Sequence, residues 1–310
     1  MSARSPIERT SFFVATASQW ISGARLRTLP MAVSPVLVGV AAGFAASGTV
    51  KWIPALLALV VSLLLQIGVN YANDYSDGVR GTDSERVGPF RLTGSGAASP
   101  RAVKYASFLC FGLAALAGLG LVWMTQTWVL LIVGALAIAA AWGYTGGKNP
   151  YGYLGLGELF VFIFFGLVAT VGTTYTQLGY LSGHSWLGAI SVGLIATALL
   201  MVNNIRDLPT DRVAGKRTLA VRLGDRLARL VYVLMIVVSI VGPVALGFVT
   251  NVWFFVVLLT FVVAFKPCAA VLTAEDRRDL IPALAKTSLI QVVFAVLFSL
   301  ALVLHKLLMA

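Results

Sequence analysis

The sequence predicts an all-α, polytopic membrane protein with its chemistry gathered at one end of a helical bundle. Composition is the first observation: of 310 residues, 59% are hydrophobic and 11% charged, with a mean hydropathy of +0.90. A soluble domain carries about 25% charged residues. The second is recurrence: uncharged apolar runs of about 20 residues, the length that crosses a bilayer, repeat along the whole chain. The third is an acidic pattern that occurs twice, each time where a long apolar run ends.

About nine spans are expected, near 28–48, 52–73, 103–124, 128–146, 158–181, 186–205, 229–250, 252–273 and 284–305. They form one transmembrane domain over 28–310, preceded by an N-terminal segment, 1–27. Short polar links separate the spans, except for two longer ones near 74–102 and 206–228, each opening with an acidic cluster. The apolar patch Phe12 to Ile21 fits a cleaved signal peptide less well than an amphipathic segment on the membrane surface, because Arg25, Arg27 and a full span follow it. Lys266-Pro267 interrupts the eighth span, and Lys266 marks its inner end. Cys110 and Cys268 lie in apolar surroundings without metal-thiolate or disulfide spacing, and read as small buried hydrophobes.

A net charge of +11 raises nucleic acid or anionic lipid as partners. Its distribution points to topology instead. With the N-terminus inside, every Lys and Arg except Lys51 and Lys306 falls on inner segments, as the positive-inside rule requires. The C-terminus then lies outside, and no nucleic-acid partner is expected. The acidic residues also fall on or beside the inner face, so chemistry on charged substrates belongs to the cytoplasmic side.

The first acidic cluster reads Asn70-Tyr71-Ala72-Asn73-Asp74-Tyr75-Ser76-Asp77 and continues to Asp83. The second reads Asn203-Asn204-Ile205-Arg206-Asp207-Leu208-Pro209-Thr210-Asp211. The chain has only 12 Asp plus Glu, so this concentration is informative. Asn70, Asp74 and Asp77 at i, i+4, i+7 share a helix face, as do Asn203, Asp207 and Asp211 at i, i+4, i+8. Pro209 is expected to distort the second helix. Carboxylates clustered beside a bilayer repel unless a cation sits between them, which points to a divalent metal and a phosphorylated substrate. Solvated helix caps would explain one cluster. They explain poorly two clusters on one membrane face with the same Asn-to-Asp spacing. The matched pair also defines an internal repeat: two parallel four-helix units, halves near 28–181 and 186–305, plus one extra helix. Parallel repeats occur in transporters too.

Arg80, Arg86 and Arg91 accompany the first cluster, and Arg206, Arg212, Lys216 and Arg217 the second. A diphosphate requires metal together with Arg or Lys; Arg206 and Lys216 flank the acids most closely. Tyr144-Thr145-Gly146-Gly147-Lys148 lacks the upstream glycine and strand of a P-loop, but places Tyr144 and Lys148 one helical turn apart. Glu158 reads equally as a helix N-terminal charge or a site residue.

Together these motifs resemble the UbiA-type intramembrane aromatic prenyltransferases, in particular their naphthoate branch. Asn70–Asp83 is similar to the family's first Asp-rich motif, and Asn203–Asp211 with Ala214-Gly215-Lys216-Arg217-Thr218-Leu219 to the second. Tyr144–Lys148 is similar to its YxxxK element. Gly155-Leu156-Gly157-Glu158-Leu159-Phe160-Val161-Phe162 and Arg25-Leu26-Arg27-Thr28-Leu29-Pro30 resemble the naphthoate branch. One departure stands out: the broad pattern NDxxDxxxD puts its last Asp at position 81, which is Gly81, and Asp83 follows two residues later.

The resemblance implies nine helices around a central cavity, both Asp motifs on its cytoplasmic rim, Mg²⁺ dependence and a tunnel toward lipid for a polyprenyl tail. It implies transfer of that tail from polyprenyl diphosphate to 1,4-dihydroxy-2-naphthoate, with loss of diphosphate and CO₂, giving demethylmenaquinone after oxidation. On this expectation Asp74, Asp77, Asp207 and Asp211, with Asp83 beside them, hold two Mg²⁺ ions, while Asn70, Asn73 and Asn203 orient ligands or phosphate oxygens. Arg206, Lys216 and Lys148 neutralise the leaving diphosphate, Tyr144 faces the allylic cation, and Arg25 or Arg27 receives the acceptor's carboxylate. The alternatives are a sister enzyme acting on another acceptor such as 4-hydroxybenzoate, and a Mg²⁺ or phosphate-ester transporter. A transporter calls for polar residues deep in several spans, a pattern not seen in this sequence.

Overall fold

The computed structural model describes residues 15–81 and 90–309, and among them the regular structure is entirely helical. After the short α1 (Ala17–Gly23) come α2 (Pro30–Ser47), α3 (Trp52–Arg80), α4 (Pro100–Thr125) and α5 (Val129–Gly143). Then follow α6 (Gly157–Leu178), α7 (Gly183–Val213), the short α8 (Leu219–Leu223), α9 (Asp225–Val249), α10 (Val252–Thr273) and α11 (Leu280–Met309). Among the described residues eight helices are long and apolar enough to cross a membrane, and α5 is a shorter apolar helix. The chain is an integral membrane protein.

Local chemistry sets the helix ends. Pro30 and Pro100 open α2 and α4, where a missing N–H costs nothing. Ser99 caps α4 by accepting from the Ala102 N–H. Gly81 ends α3 at a left-handed φ of 71°. Thr16 and Gln19 form a capping box on α1, which includes the described end of the N-terminal apolar patch. There Trp20 packs edge-on against Tyr71 at 5.5 Å.

In lipid, apolar burial does not drive helices together, so close packing of small residues and interhelical hydrogen bonds must. Gly39 and Gly43 lie four apart on α2 and face α6. A Cβ built on Gly39 would sit 2.6 Å from the Thr170 carbonyl oxygen, and one on Gly43 2.8 Å from the Gln177 side chain. Gly166 of α6 crosses Gly193 of α7 so closely that its Cβ would lie 2.5 Å from the Gly193 Cα. Hydroxyls bond the helices across: Ser107 donates to Gly68 O at 3.0 Å and Thr174 to Gly39 O at 2.8 Å. Helix α7 runs through the middle of the core, its Ile195, Met201 and Ile205 buried against α9 and α11 with Tyr232, Ile236, Phe294 and Phe298. Leu116, Trp123, Leu136, Val262 and Phe265 point outward and suit a lipid surround.

The apolar spans give out near 73 and 205, and α3 and α7 stay helical through both acidic clusters, as the shared-face spacing expects, to Arg80 and Val213. Helix α7 remains helical across Pro209. The structure moves one sequence expectation. Lys266 sits within α10 rather than at its end, exposed on its outer surface. A long stem lets such a lysine reach the interface.

Candidate active site

Because α3 and α7 continue past the apolar zone, their last turns carry the acidic clusters beyond it and face one cavity of about 1060 Å³. Its rim is polar: Asn70, Asn73 and Asp77 from α3, and Asn203, Asn204, Arg206, Asp207 and Asp211 from α7, with Lys216 from the following loop. Its interior is apolar and rich in small residues, including Ala114 and Gly118 of α4, Gly134 and Ala137 of α5, and Gly172 of α6. Arg25, Arg27 and Thr28 line it from the segment before α2.

Asp77 is the hub of the rim. Its Oδ1 accepts from the Tyr153 hydroxyl at 2.8 Å and from Lys216 Nζ at 3.4 Å, and its Oδ2 from Arg91 at 3.5 Å. One carboxylate thereby joins α3 to the three loops near 91, 153 and 216. Lys216 also lies 4.5 Å from the Tyr153 ring centroid, and its backbone N–H donates to Asp211 O at 2.8 Å. The next amide, Arg217 N–H, donates to Tyr153 O at 2.8 Å. Burial, then the Asp77 charge, pushes the Tyr153 phenol upward, with Lys216 opposing. Tyr153 therefore stays protonated and donates to Asp77.

On α7, Arg206 grips its neighbour Asp207 in a bidentate pair, Nε to Oδ1 at 2.7 Å and Nη2 to Oδ2 at 2.8 Å. The same Nη2 donates to Asn203 Oδ1 at 2.9 Å. On α3, Asn73 Oδ1 accepts from the Thr145 hydroxyl at 2.8 Å, and Arg80 donates to the carbonyls of Thr145 and Gly147. Arg80 thus secures the Tyr144–Lys148 loop. Asn70 donates to Ala24 O at 2.8 Å and to the Thr28 hydroxyl at 3.0 Å, which seats the Arg25–Thr28 segment. Arg25 itself holds a left-handed φ of 53°, a conformation that a non-glycine residue keeps only when its surroundings enforce it.

Below the rim stands a column of rings. Tyr144 meets Tyr151 edge-on at 5.6 Å, Tyr151 stacks on Phe160 at 4.0 Å, and Phe160 tilts against Phe164 at 6.1 Å. All line the cavity. Burial raises the phenols of Tyr144 and Tyr151, so both remain neutral and offer electron-rich faces.

Two expected residues lie elsewhere. Asp74 turns off the cavity wall: its Oδ2 accepts from Leu92 N–H at 2.7 Å and its Oδ1 from Thr93 N–H at 2.8 Å, so it anchors the loop before α4. Lys148 is exposed and outside the cavity lining. Asp83 falls outside the described residues, as does Arg86. Glu158, read equally as cap or site residue, is buried behind the wall and accepts from Asn204 at 2.9 Å. Tyr153, Thr145 and Asn204 belong to the rim although the spacing argument did not select them. Glycines at 152 and 155, which let the chain turn tightly beside the Tyr144 carbonyl and Arg217, were the available signal for Tyr153.

Among the described residues no three Asp, Glu, His or Cys converge as a ready-made metal cage. The donor set still fits Mg²⁺, which takes one or two carboxylates and fills its octahedron with water and substrate phosphate oxygens.

Residues 32–304 match the model of the UbiA prenyltransferase family. The chain belongs to that family. It is 48% identical over 282 residues to the 1,4-dihydroxy-2-naphthoate octaprenyltransferase of Mycobacterium tuberculosis, covering 91% of this chain and 96% of that one. It is 36% identical to the Escherichia coli protein of the same description, covering 88% and 91%. In fold it resembles a UbiA homolog from Archaeoglobus fulgidus solved with GPP and Mg²⁺, with a TM-score of 0.62 at 14% identity, covering 92% of this chain and 99% of that one. Membership makes the protein an intramembrane prenyltransferase and sets the transporter alternative aside.

Proposed function

We propose that this prenyltransferase moves a polyprenyl group from polyprenyl diphosphate to 1,4-dihydroxy-2-naphthoate, releasing diphosphate and CO₂; the product is the quinol form of demethylmenaquinone, which becomes the quinone only on a separate two-electron oxidation. The observation that carries the reading is the pairing of an acidic and basic rim with an apolar interior in one cavity, in a chain so similar to naphthoate prenyltransferases. A polyprenyl tail gains about 0.8 kcal/mol per buried CH₂, while its diphosphate stays at the aqueous edge. One cavity that is polar at its rim and apolar below serves both ends of the molecule. We place that rim and the N-terminus on the cytoplasmic side and the C-terminus outside, because Lys51 and Lys306 are the basic residues left at the other end.

Asp77, Asp207 and Asp211, with Asn73 and Asn203, are the residues that would hold Mg²⁺, two ions in our reading. When bound, the metal supplies charge stabilisation to the departing diphosphate. Asp74 supports this set by fixing the loop that carries Arg91. Arg91, Arg206 and Lys216 stand at the rim to bind diphosphate oxygens. The Tyr144–Phe164 column lies where the allylic cation forms, giving it π faces and excluding water. Arg25 and Arg27 face the cavity beside Thr28 and bind the acceptor's carboxylate. The electron-rich ring then attacks the allylic carbon.

The test is to incubate purified protein with Mg²⁺, radiolabelled polyprenyl diphosphate and a panel of aromatic acids, and to identify the lipid product. Prenylated, decarboxylated naphthol is expected. A product from 4-hydroxybenzoate and none from dihydroxynaphthoate overturns the acceptor.

A further inference from the structure

Proline has no N–H, so inside a helix it leaves the carbonyl four residues earlier without its usual partner. In α7 the proline is Pro209 and the carbonyl is that of Ile205, within the second acidic cluster. Ile205 is fully buried, where an unmet polar group is strongly unfavourable. Arg277, from the link between α10 and α11, supplies the missing donor, with its Nη1 3.0 Å from the Ile205 oxygen. The same Nη1 pairs with Asp225 at the head of α9. Asp225 also accepts from Arg229 Nε at 2.8 Å, and Arg229 Nη1 donates to Val271 O of α10 at 2.6 Å. Elements that contribute no acidic residue to the rim therefore converge on the carbonyl just before Arg206 and Asp207.

We propose that Arg277 is a positioning residue for the second acidic cluster. It replaces the helix bond lost at Pro209 and so holds α7 helical from Asn203 to Asp211. That continuity keeps Asn203, Asp207 and Asp211 on the face that looks into the cavity; a break at 209 rotates Asp211 away from Asp207. Asp225 fixes the guanidinium, and Arg229 fixes Asp225. The inference rests on the reading of the rim as the diphosphate-binding site. It also has a specific consequence. An alanine at 209 brings its own N–H to Ile205 O and makes Arg277 redundant, so the two positions are energetically coupled.

The test uses the full chain in detergent and the probe geranyl diphosphate with Mg²⁺, read by titration calorimetry alongside the melting temperature. Arg277→Ala is expected to weaken binding by about tenfold, the scale of one buried hydrogen bond to a charged group. Pro209→Ala alone should bind within about threefold of wild type, and Pro209→Ala combined with Arg277→Ala should match Pro209→Ala. Arg277→Gln keeps an N–H donor, and retained binding in it supports the proposal should Arg277→Ala not accumulate. Unchanged binding in Arg277→Ala, or a double variant as weak as Arg277→Ala, overturns the role of Arg277. A lower melting temperature with unchanged affinity also overturns it, since that is the mark of a purely structural role. Failure of the wild type to bind the probe overturns the reading of the rim instead.

Discussion

Asp77 and Asp74 sit three residues apart on α3 and do different work. Asp77 faces the cavity and joins Tyr153, Lys216 and Arg91; Asp74 spends both oxygens on the Leu92 and Thr93 amides. Their neutral variants should therefore fail in different ways. Asp77→Asn keeps its shape but removes a charge from the diphosphate site, worth about 3 kcal/mol or more of leaving-group stabilisation. Turnover should fall at least about a hundredfold, well beyond the loss of melting temperature that follows from leaving Lys216 and Arg91 without their shared carboxylate. Asp74→Asn instead turns an amide N–H₂ toward a buried backbone N–H, which costs about 1–3 kcal/mol, so it should lose melting temperature and activity together. Turnover assays beside thermal unfolding separate the two: in Asp77→Asn activity falls out of proportion to stability, in Asp74→Asn the two fall in step, and the same proportion in both variants would refute the division of roles. The sequence spacing shows why this split was hidden. A step of i, i+4, i+7 put Asn70, Asp74 and Asp77 on one face, but a cavity wall is narrower than a helix face. Asn70, Asn73 and Asp77 occupy the wall, and Asp74 sits at its edge, where it meets the loop before α4.

Helices position these residues through contacts that admit no side chain. The Gly166–Gly193 crossing holds α6, and with it the Phe160–Phe164 end of the aromatic column, against α7 and its acidic cluster. Adding one methyl at Gly166 meets the Gly193 Cα at 2.5 Å and the Ala189 oxygen at 2.8 Å, both backbone atoms that cannot swing away. Gly166→Ala should therefore destabilise by about 1–3 kcal/mol and lower the melting temperature in detergent, while an unchanged value would refute the need for glycine at this crossing. Much of the architecture at this scale was legible. Apolar run length gave the spans, because a bilayer sets a minimum of about 20 residues, and α10 begins and ends at the residues expected. The spacing of the acids carries both helices to Asp77 and Asp211, close to their ends, where run length alone does not. Hydropathy falls where the acids begin, yet hydrogen bonding carries α3 on to Arg80 and α7 past Pro209 to Val213. The donor that permits the second extension is Arg277, distant in sequence. The π-helical turn at Phe162–Val168 leaves no periodic mark either, since the segment is apolar on every side.

At the scale of the whole molecule the same bundle solves two problems of solvation, and the apolar half of its cavity sets how much tail it can hold. Small residues keep that space open. Gly134 of α5 lines the cavity, and a Cβ there would meet nothing within 4 Å, so its neighbours do not require a glycine; on the proposed function, the space beside it is where the tail lies. Gly134→Phe fills part of that volume without disturbing the rim, the aromatic column or the loops that hold Asp77. A short donor that ends above position 134 should react almost as before. A longer donor must leave isoprene units outside the cavity, and at about 0.8 kcal/mol per CH₂ displaced from close packing, one unit is enough for a tenfold loss or more. The measurement is kcat/KM for geranyl diphosphate and for progressively longer polyprenyl diphosphates in wild type and variant. The expected result is a ratio of variant to wild type that stays near one for the shortest donor and falls steeply beyond a threshold length. A uniform loss at every length would mean that the substitution damaged the rim, and no loss at any length would mean that the tail leaves the bundle by another route.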